Sequence, residues 1–565
     1  MGDRIKFNLE YTTIIIFMGV FLYLGVANPW DNTLAHDFPY SYLASDAFFH
    51  QSVAQHTKDV GRYWFTPSYE VGGHKGVFEQ HPPVLFEVTA AFSHLSGIEV
   101  YDSIFFIAVL SCLLFALIFY IIARQVNKYI SILSLPIMTL IFKGPFNVWM
   151  FWGYWMFVIG VLFMVASIWS ATKIGLKHSY ILIGIFLAGA MLSHQPELVF
   201  AVGYLTLFLV IDIIKNKKIN IDYIKKVIFA GLISIPLSLF NMIIFSKTFL
   251  KSEGYRNVWD IKNVAALSGL PEMPWASLGI AGVITVIGLV LFFISNKKKT
   301  TIPASISLFS FLLGYLIIIG MGKRSYTHRF FWFIYASFFF GFALYYILKK
   351  IKASRLIYVS AITIILIFII SQPIFSQTNR GAGIMDPFNW GGLEWISKNT
   401  PEDSHIYYFF SNALAHNAPL YSSKRVSFNI NTNKFIEDLQ SGQIKRVYQF
   451  GLADSYSTYI CKKSRFSFGY FRNHLKPKND SNYKCETNRK KLEYAPIETT
   501  TKDICNIEYY YFNKASDPPA LAQYNLAIRN ILIQNNWITE VYNNQLVSIL
   551  KNNQIGADCI ENNTQ

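Results

Sequence analysis

The sequence predicts a polytopic α-helical membrane protein of about eleven transmembrane helices, followed by an extracytoplasmic domain of mixed α/β structure. Three observations lead there. Hydrophobic residues fill 53% and charged residues 15% of the 565 positions, and the mean hydropathy is +0.31, which is more apolar surface than a water-soluble globule of this size carries. That surface comes in uninterrupted blocks, and a block of roughly 20 residues crosses hydrocarbon only as a helix, because no backbone hydrogen bond can stay open there. Thirdly, the basic residues alternate from one short loop to the next.

The expected spans are 11–27, 103–122, 129–148, 154–172, 179–193, 196–214, 227–246, 276–295, 302–321, 330–348 and 356–375. Lys143, Gly144 and Pro145 interrupt the stretch 129–172. With the N-terminus cytoplasmic, every second loop is basic: Arg4 and Lys6, Arg124 and Lys128, Lys173 and Lys177, Lys215 through Lys226, Lys297 to Lys299, and Lys349 through Arg355. That alternation sets orientation. It places the long loop 28–102, the loop 247–275 and everything after 375 outside the cytoplasm. The first helix is expected to be retained, since no small-residue cleavage site follows it and "NPWDN" reads as a helix exit. The division is therefore a membrane domain over 1–375 and a soluble outer domain over 376–565.

In the outer domain, alternating stretches such as "HIYYFF" and "QLVSIL" read as strands, with helices expected at 390–399, 434–440 and 520–536. It holds Cys461, Cys485, Cys505 and Cys559, while Cys112 lies in an apolar helix. An even number of cysteines on the oxidising side suggests two disulfides, with all three pairings open. No C-x-x-C pair points to zinc. The net charge of +16 comes mostly from the orienting loops, so nucleic acid is not an expected partner. The sequence has no phosphate-cradling G-x-x-x-x-G-K-[ST] loop, no G-x-S-x-G elbow and no internal repeat.

Three polar groups stand at outer helix ends. In "HDFPYSYLASDAFFHQSVAQH" (36–56), helical spacing puts Asp46 and His50 on one face, with Asp37 upstream. Further on, "FEQHPPVLFEV" sets Glu79 and His81 before a double proline that fixes an extended turn. The bland alternative is a solvated surface loop. In "SHQPELVF", His194 and Glu197 mark the outer mouth of two helices, either facing a cavity or forming a polar turn at Pro196. In "GKRSYTHRFFWF", Lys323, Arg324, His328 and Arg329 break the orientation rule obeyed elsewhere. Such a violation asks for an anion, and the planar fork of arginine suits a phosphate; snorkelling to lipid headgroups is the alternative. The aromatic cluster 146–157 reads as an interfacial belt.

The short tail, one helix, a long outer loop with "SDAFFH", then "HPPVLF", many further helices and an outer C-terminal domain together resemble the GT-C superfamily of glycosyltransferases. "LEWISKNTPEDS" (393–404) resembles the start of the outer domain in archaeal and bacterial relatives, and "HRF" is similar to a basic-aromatic motif near the lipid phosphate in several members. The resemblance implies transfer of a sugar from a polyprenyl (dolichyl or undecaprenyl) phosphate to a glycan, lipid or protein acceptor, in an archaeal or bacterial plasma membrane. It puts Asp46 at the position of the essential acid, with Asp37 as alternative base or supporting partner and Arg329, helped by Lys323, Arg324 or His328, on the phosphate. His50, His81, Glu79, His194 and Glu197 are further candidates. The absence of W-W-D-Y-G departs from true oligosaccharyltransferases, so oligosaccharyl transfer from a lipid diphosphate is the alternative, with a non-enzymatic lipid or polysaccharide transporter as the rival class. A divalent manganese or magnesium ion on Asp46, His50, Asp37 or His81 would suit the ligand types, although many GT-C enzymes work without metal.

Overall fold

The computed structural model describes residues 9–27, 33–65, 67, 69, 79, 81–142, 144–248, 274–295, 302–316, 327–350, 354–371, 383–402, 404–409, 423–428, 447–449, 484–485, 492–493, 501–503, 507–515 and 519–555. The chain divides into two compact units. One comprises Met1–Leu34, Pro82–Leu85 and Ile104–Arg380; the other comprises Ala35–His81, Phe86–Ser103 and Gly381–Gln565.

The first unit is helical. Its helices are α1 (Leu9–Ala27), α4 (Val100–Arg124), α5 (Lys128–Met138), the single turn α6 (Val148–Phe151), α7 (Trp155–Ala171), α8 (Ser179–Ser193), α9 (Gln195–Asn216) and α10 (Ile221–Thr248), then Pro274–Ser295, Ile302–Leu313, Trp332–Lys349 and Ser354–Ser371. Each of the eleven expected segments carries helix. By length and composition, Leu9–Val26, Val100–Arg124, Gln195–Asn216, Ile221–Ile244 and Thr327–Lys349 can cross a membrane, and the others among the described residues are shorter apolar helices. The interruption expected within 129–172 is present: α5 contains Pro136 and tightens into 3-10 turns at Thr139–Phe142 and Gly144–Asn147 before α7 begins. Proline removes a backbone donor and glycine does not favour helix, so the segment breaks where these residues fall.

Packing fixes which helix ends lie together. Glu10, at the start of α1, meets Arg124, at the end of α4, through Nε–Oε1 at 2.6 Å, so the two helices run in opposite directions. Near that end Tyr345 stacks on Tyr129 and Tyr358 approaches the same ring. At the other end Phe142 meets Phe21, and Phe146 meets Phe333. Among these helices the ends that meet alternate between start and finish, so those neighbours run in alternate directions. Close helix contact is made by small residues: a Cβ on Gly341 would lie 2.3 Å from the Ile130 carbonyl, and one on Gly288 would lie 1.9 Å from that of Phe339. On α10, Ile228, Phe229, Leu232, Ile235, Leu237 and Leu239 are exposed. A continuous apolar helix face of that size is stable against lipid rather than water, so this is a membrane protein.

The second unit combines α2 (Ser45–Val60), the main part of α3 (Val84–Ser96) and the C-terminal residues. Its five-stranded sheet has the order β2–β1–β3–β5–β4, where β1 is His405–Phe409, β2 Val426–Phe428, β3 Tyr509–Asn513, β4 Ile538–Asn543 and β5 Val547–Asn552. One half of the sheet, His405–Phe409 with Val426–Phe428 and Tyr509–Asn513, is parallel, and the other half, from Tyr509–Asn513 through Val547–Asn552 to Ile538–Asn543, is antiparallel. Residues alternate across it as strand geometry dictates. Tyr510 and Phe512 pack with Tyr407, Phe409, Leu550, Ile528 and Leu532 of one buried core, which includes the helix Pro519–Ile533. Tyr511 and Asn513 reach the other face, where both bond Asn389 Oδ1, at 2.8 and 2.9 Å, in the helix Pro387–Asn399. Helices thus cover both faces, and the expected mixed α/β fold is observed, with strands at both expected stretches and helices near two of the three expected positions. The third, 434–440, lies outside the described residues.

Candidate functional site

Two clusters of acids and imidazoles stand out, one in each unit. In the second unit, α2 begins at Ser45 after an entry segment held from several sides. Asp102, itself buried, accepts from the His36 backbone N–H and bonds His36 Nδ1, each at 2.8 Å. Tyr101 Oη donates to the His36 carbonyl at 2.6 Å, and Tyr42 Oη donates to the Tyr101 carbonyl at 2.9 Å. The Tyr42 carbonyl accepts from Ile384 N–H at 2.8 Å. Between these anchors Ser41 has φ of 63°, a left-handed value uncommon away from glycine. The entry to α2 is fixed by its surroundings rather than by local preference.

On α2 the charge pattern suits the helix dipole, with Asp46 in the first turn and Lys58 in the last, and Gly61 at φ of 73° closes it by donating to the Thr57 carbonyl. Asp46 is exposed, as is Asp37, whereas His50 one turn on is buried. Glu79 is almost wholly buried and binds His81 twice, at Nδ1 (2.6 Å) and at the backbone N–H (3.0 Å). The Tyr63 hydroxyl donates to the His81 carbonyl, and the Phe49 ring lies 4.5 Å from that of His81. Phe86 approaches both Phe49 and His50. The structure therefore brings His50, Glu79 and His81 around one aromatic cluster, with the exposed Asp46 one helical turn before His50. Burial holds the His56 imidazole below its usual range, Asp59 working against that shift and Lys424 with it.

In the first unit, His194 closes α8 and Glu197 stands in the first turn of α9 behind Pro196. His194 Nδ1 bonds Glu197 Oε2. The other carboxylate oxygen faces His328 Nε2 at 3.4 Å, and His328 Nδ1 bonds Tyr335 Oη at 2.8 Å. Glu197 and His328 are both at 0% exposure, walled by Phe157 and Phe200. Arg329, the next residue, is half-buried with its guanidinium 5.1 Å from the Phe330 ring centre. Of the basic residues singled out in that loop, Lys323 and Arg324 lie outside the described residues.

Sequence reasoning passed over Asp102 and Tyr335. Asp102 carried a signal, an acid at the mouth of a long apolar helix; Tyr335 carried none among so many aromatic residues. Cys461, Cys505 and Cys559 lie outside the described residues, and Cys485 falls in the short strand Lys484–Cys485. Cys112 is a buried free thiol.

The sequence matches no protein-family profile and no curated protein. The fold does have solved counterparts. At TM-score 0.51 and 13% identity, 94% of this chain aligns with 82% of the archaeal oligosaccharyltransferase AglB from Archaeoglobus fulgidus in complex with an inhibitory peptide and a dolichol-phosphate. The oligosaccharyltransferase of the same organism in complex with Zn and sulfate aligns at 0.50 and 12% identity, over 96% of this chain and 88% of the other. The arabinofuranosyltransferase AftD from Mycobacteria aligns at 0.51 and 10% identity, over 97% of this chain but 40% of its own length. The chain shares the fold of these proteins, which is GT-C-like. Among the described residues no three His, Cys, Asp or Glu come together in a way that could hold a metal ion.

Proposed function

We propose that the chain is a membrane glycosyltransferase that moves a sugar from a polyprenyl-phosphate carrier to an acceptor at the outer face of the membrane. The observation that carries this reading is the likeness of nearly the whole chain, outer part included, to GT-C enzymes, one of them holding a dolichol-phosphate. The chemistry needs two things. An acceptor O–H or N–H attacks the anomeric carbon as the bond from that carbon to the phosphate oxygen breaks, so a base must take the proton and a cation must steady the departing phosphate. Asp46, exposed on the first turn of α2, is assigned the base. Arg329, whose fork can donate two hydrogen bonds, is assigned the phosphate, with Lys323 and Arg324 as helpers and Asp37 as supporting acid. Oligosaccharyl transfer is the second reading, favoured by the match to the archaeal enzyme and disfavoured by the missing W-W-D-Y-G.

The test is to incubate purified protein in lipid nanodiscs with radiolabelled polyprenyl monophosphate and diphosphate sugars and an extract of surface acceptors. Label should move from monophosphate carriers. Transfer from diphosphates alone would favour the second reading, and no transfer from either by folded protein would end the proposal. The basic loops further assign the N-terminus to the cytoplasm. A reporter active only there should work when fused after residue 300 and be silent after residue 380.

A further inference from the structure

We infer that His194, Glu197, His328 and Tyr335 form a buried lock that sets the direction of Arg329, so that Glu197 and His328 are positioning residues for the carrier phosphate rather than its ligands. This rests on the assignment of Arg329 to the phosphate. The four side chains come from the junction of α8 and α9, from the 3-10 turn Thr327–Phe331 and from the first turn of the helix Trp332–Lys349. An ionised carboxylate only accepts hydrogen bonds, so the proton on each facing imidazole nitrogen is assigned to Nδ1 of His194 and Nε2 of His328. His328 Nδ1 is then free to accept from the Tyr335 hydroxyl. Each imidazole has one settled orientation.

The surroundings make that arrangement rigid. A Cβ on Gly160 would lie 2.7 Å from His194 Cβ and 3.4 Å from Glu197 Oε2, so α7 approaches this turn as closely as a missing side chain allows. Phe157 lies edge-on to both imidazoles. Burying a carboxylate in such a place adds nothing to stability that a well-packed apolar side chain would not supply; what it can supply is one defined geometry. The 3-10 turn transmits it. With three residues per turn, successive side chains point about 120° apart, so fixing His328 inward turns Arg329 away from the core. His328 itself, with Nδ1 bonded to Tyr335, Nε2 turned toward Glu197 at 3.4 Å and no exposed surface, is not placed to meet a phosphate.

The test measures binding of farnesyl phosphate and of neutral farnesol to the full-length protein in nanodiscs. Arg329→Ala should weaken farnesyl phosphate about tenfold or more and leave farnesol unchanged, because only the charge-assisted contact is lost. Glu197→Gln should weaken farnesyl phosphate by roughly fivefold with farnesol unchanged, and should add nothing further in the Arg329→Ala background, since the two act on one contact. If Glu197→Gln does not fold, Tyr335→Phe, which deletes a single hydroxyl, carries the same comparison with an expected loss of about threefold. Wild-type binding in these variants, equal loss of farnesol, or a full additional loss in the double variant overturns the lock. Unchanged farnesyl phosphate binding in Arg329→Ala overturns the phosphate assignment itself.

Discussion

The two acid–imidazole clusters use the same residue types to opposite ends. In the first unit Glu197 has both oxygens facing histidines and no exposure, and the group is closed on itself. In the second unit the buried pair Glu79–His81 is equally local, but Asp46 is exposed, on a helix whose entry is clamped by His36, Asp102 and Tyr42. A charge that has been buried and neutralised can hold geometry; only one left at a surface can meet a substrate. The comparison thus sets a group closed on itself against an acid left open to a partner.

The sharpest way to break that contrast is Asp46→Asn. The side chain keeps its shape and loses its basicity, so turnover should fall by about 10²-fold or more, while the melting temperature stays close to the wild-type value, since an exposed first-turn charge is worth only about 0.3–1 kcal/mol to the helix. Wild-type turnover in a folded variant would pass the role to Asp37; a large fall in melting temperature would place Asp46 among the supporting residues. Next comes Asp102→Ala, which strips His36 of two charge-assisted hydrogen bonds. It should loosen the entry segment by roughly 1.5–3 kcal/mol, seen as faster amide exchange over residues 35–42, with Asp102→Asn recovering part. Exchange unaltered there would mean that the clamp on α2 lies elsewhere.

The smallest effect is in pH. Because His56 is held below the usual imidazole range, the unfolded segment binds more protons than the folded one as pH drops below about 6.5. The contribution of His56 is therefore constant above that pH and turns unfavourable as acidity rises through the window down to its folded value. Protection of the α2 amides, corrected for intrinsic exchange, should decline over that window in the wild type and decline less in His56→Gln. Identical profiles in the two proteins would assign the dependence to another group; Glu87 is excluded as that group, because burial pushes its carboxyl upward and such a group gains stability as pH falls.

Much of the fold could be read from the chain because its physics is local. A run such as Val100–Arg124 must be helical in hydrocarbon whatever surrounds it, a basic loop orients its neighbours wherever they pack, and Gly144 with Pro145 breaks a helix by covalent geometry alone. The sequence likewise marked His194, Glu197, His328 and Arg329 as polar groups out of place at helix ends. It did not say that Glu197 would face His328 across 131 positions of chain, nor that Asp102 would reach back 66 residues to hold His36. Those pairings belong to the tertiary structure, because hydrophobic patterning determines which face of a helix is buried but leaves its neighbour to packing, and a lone buried carboxylate acquires its meaning only from the donors that the fold brings to it.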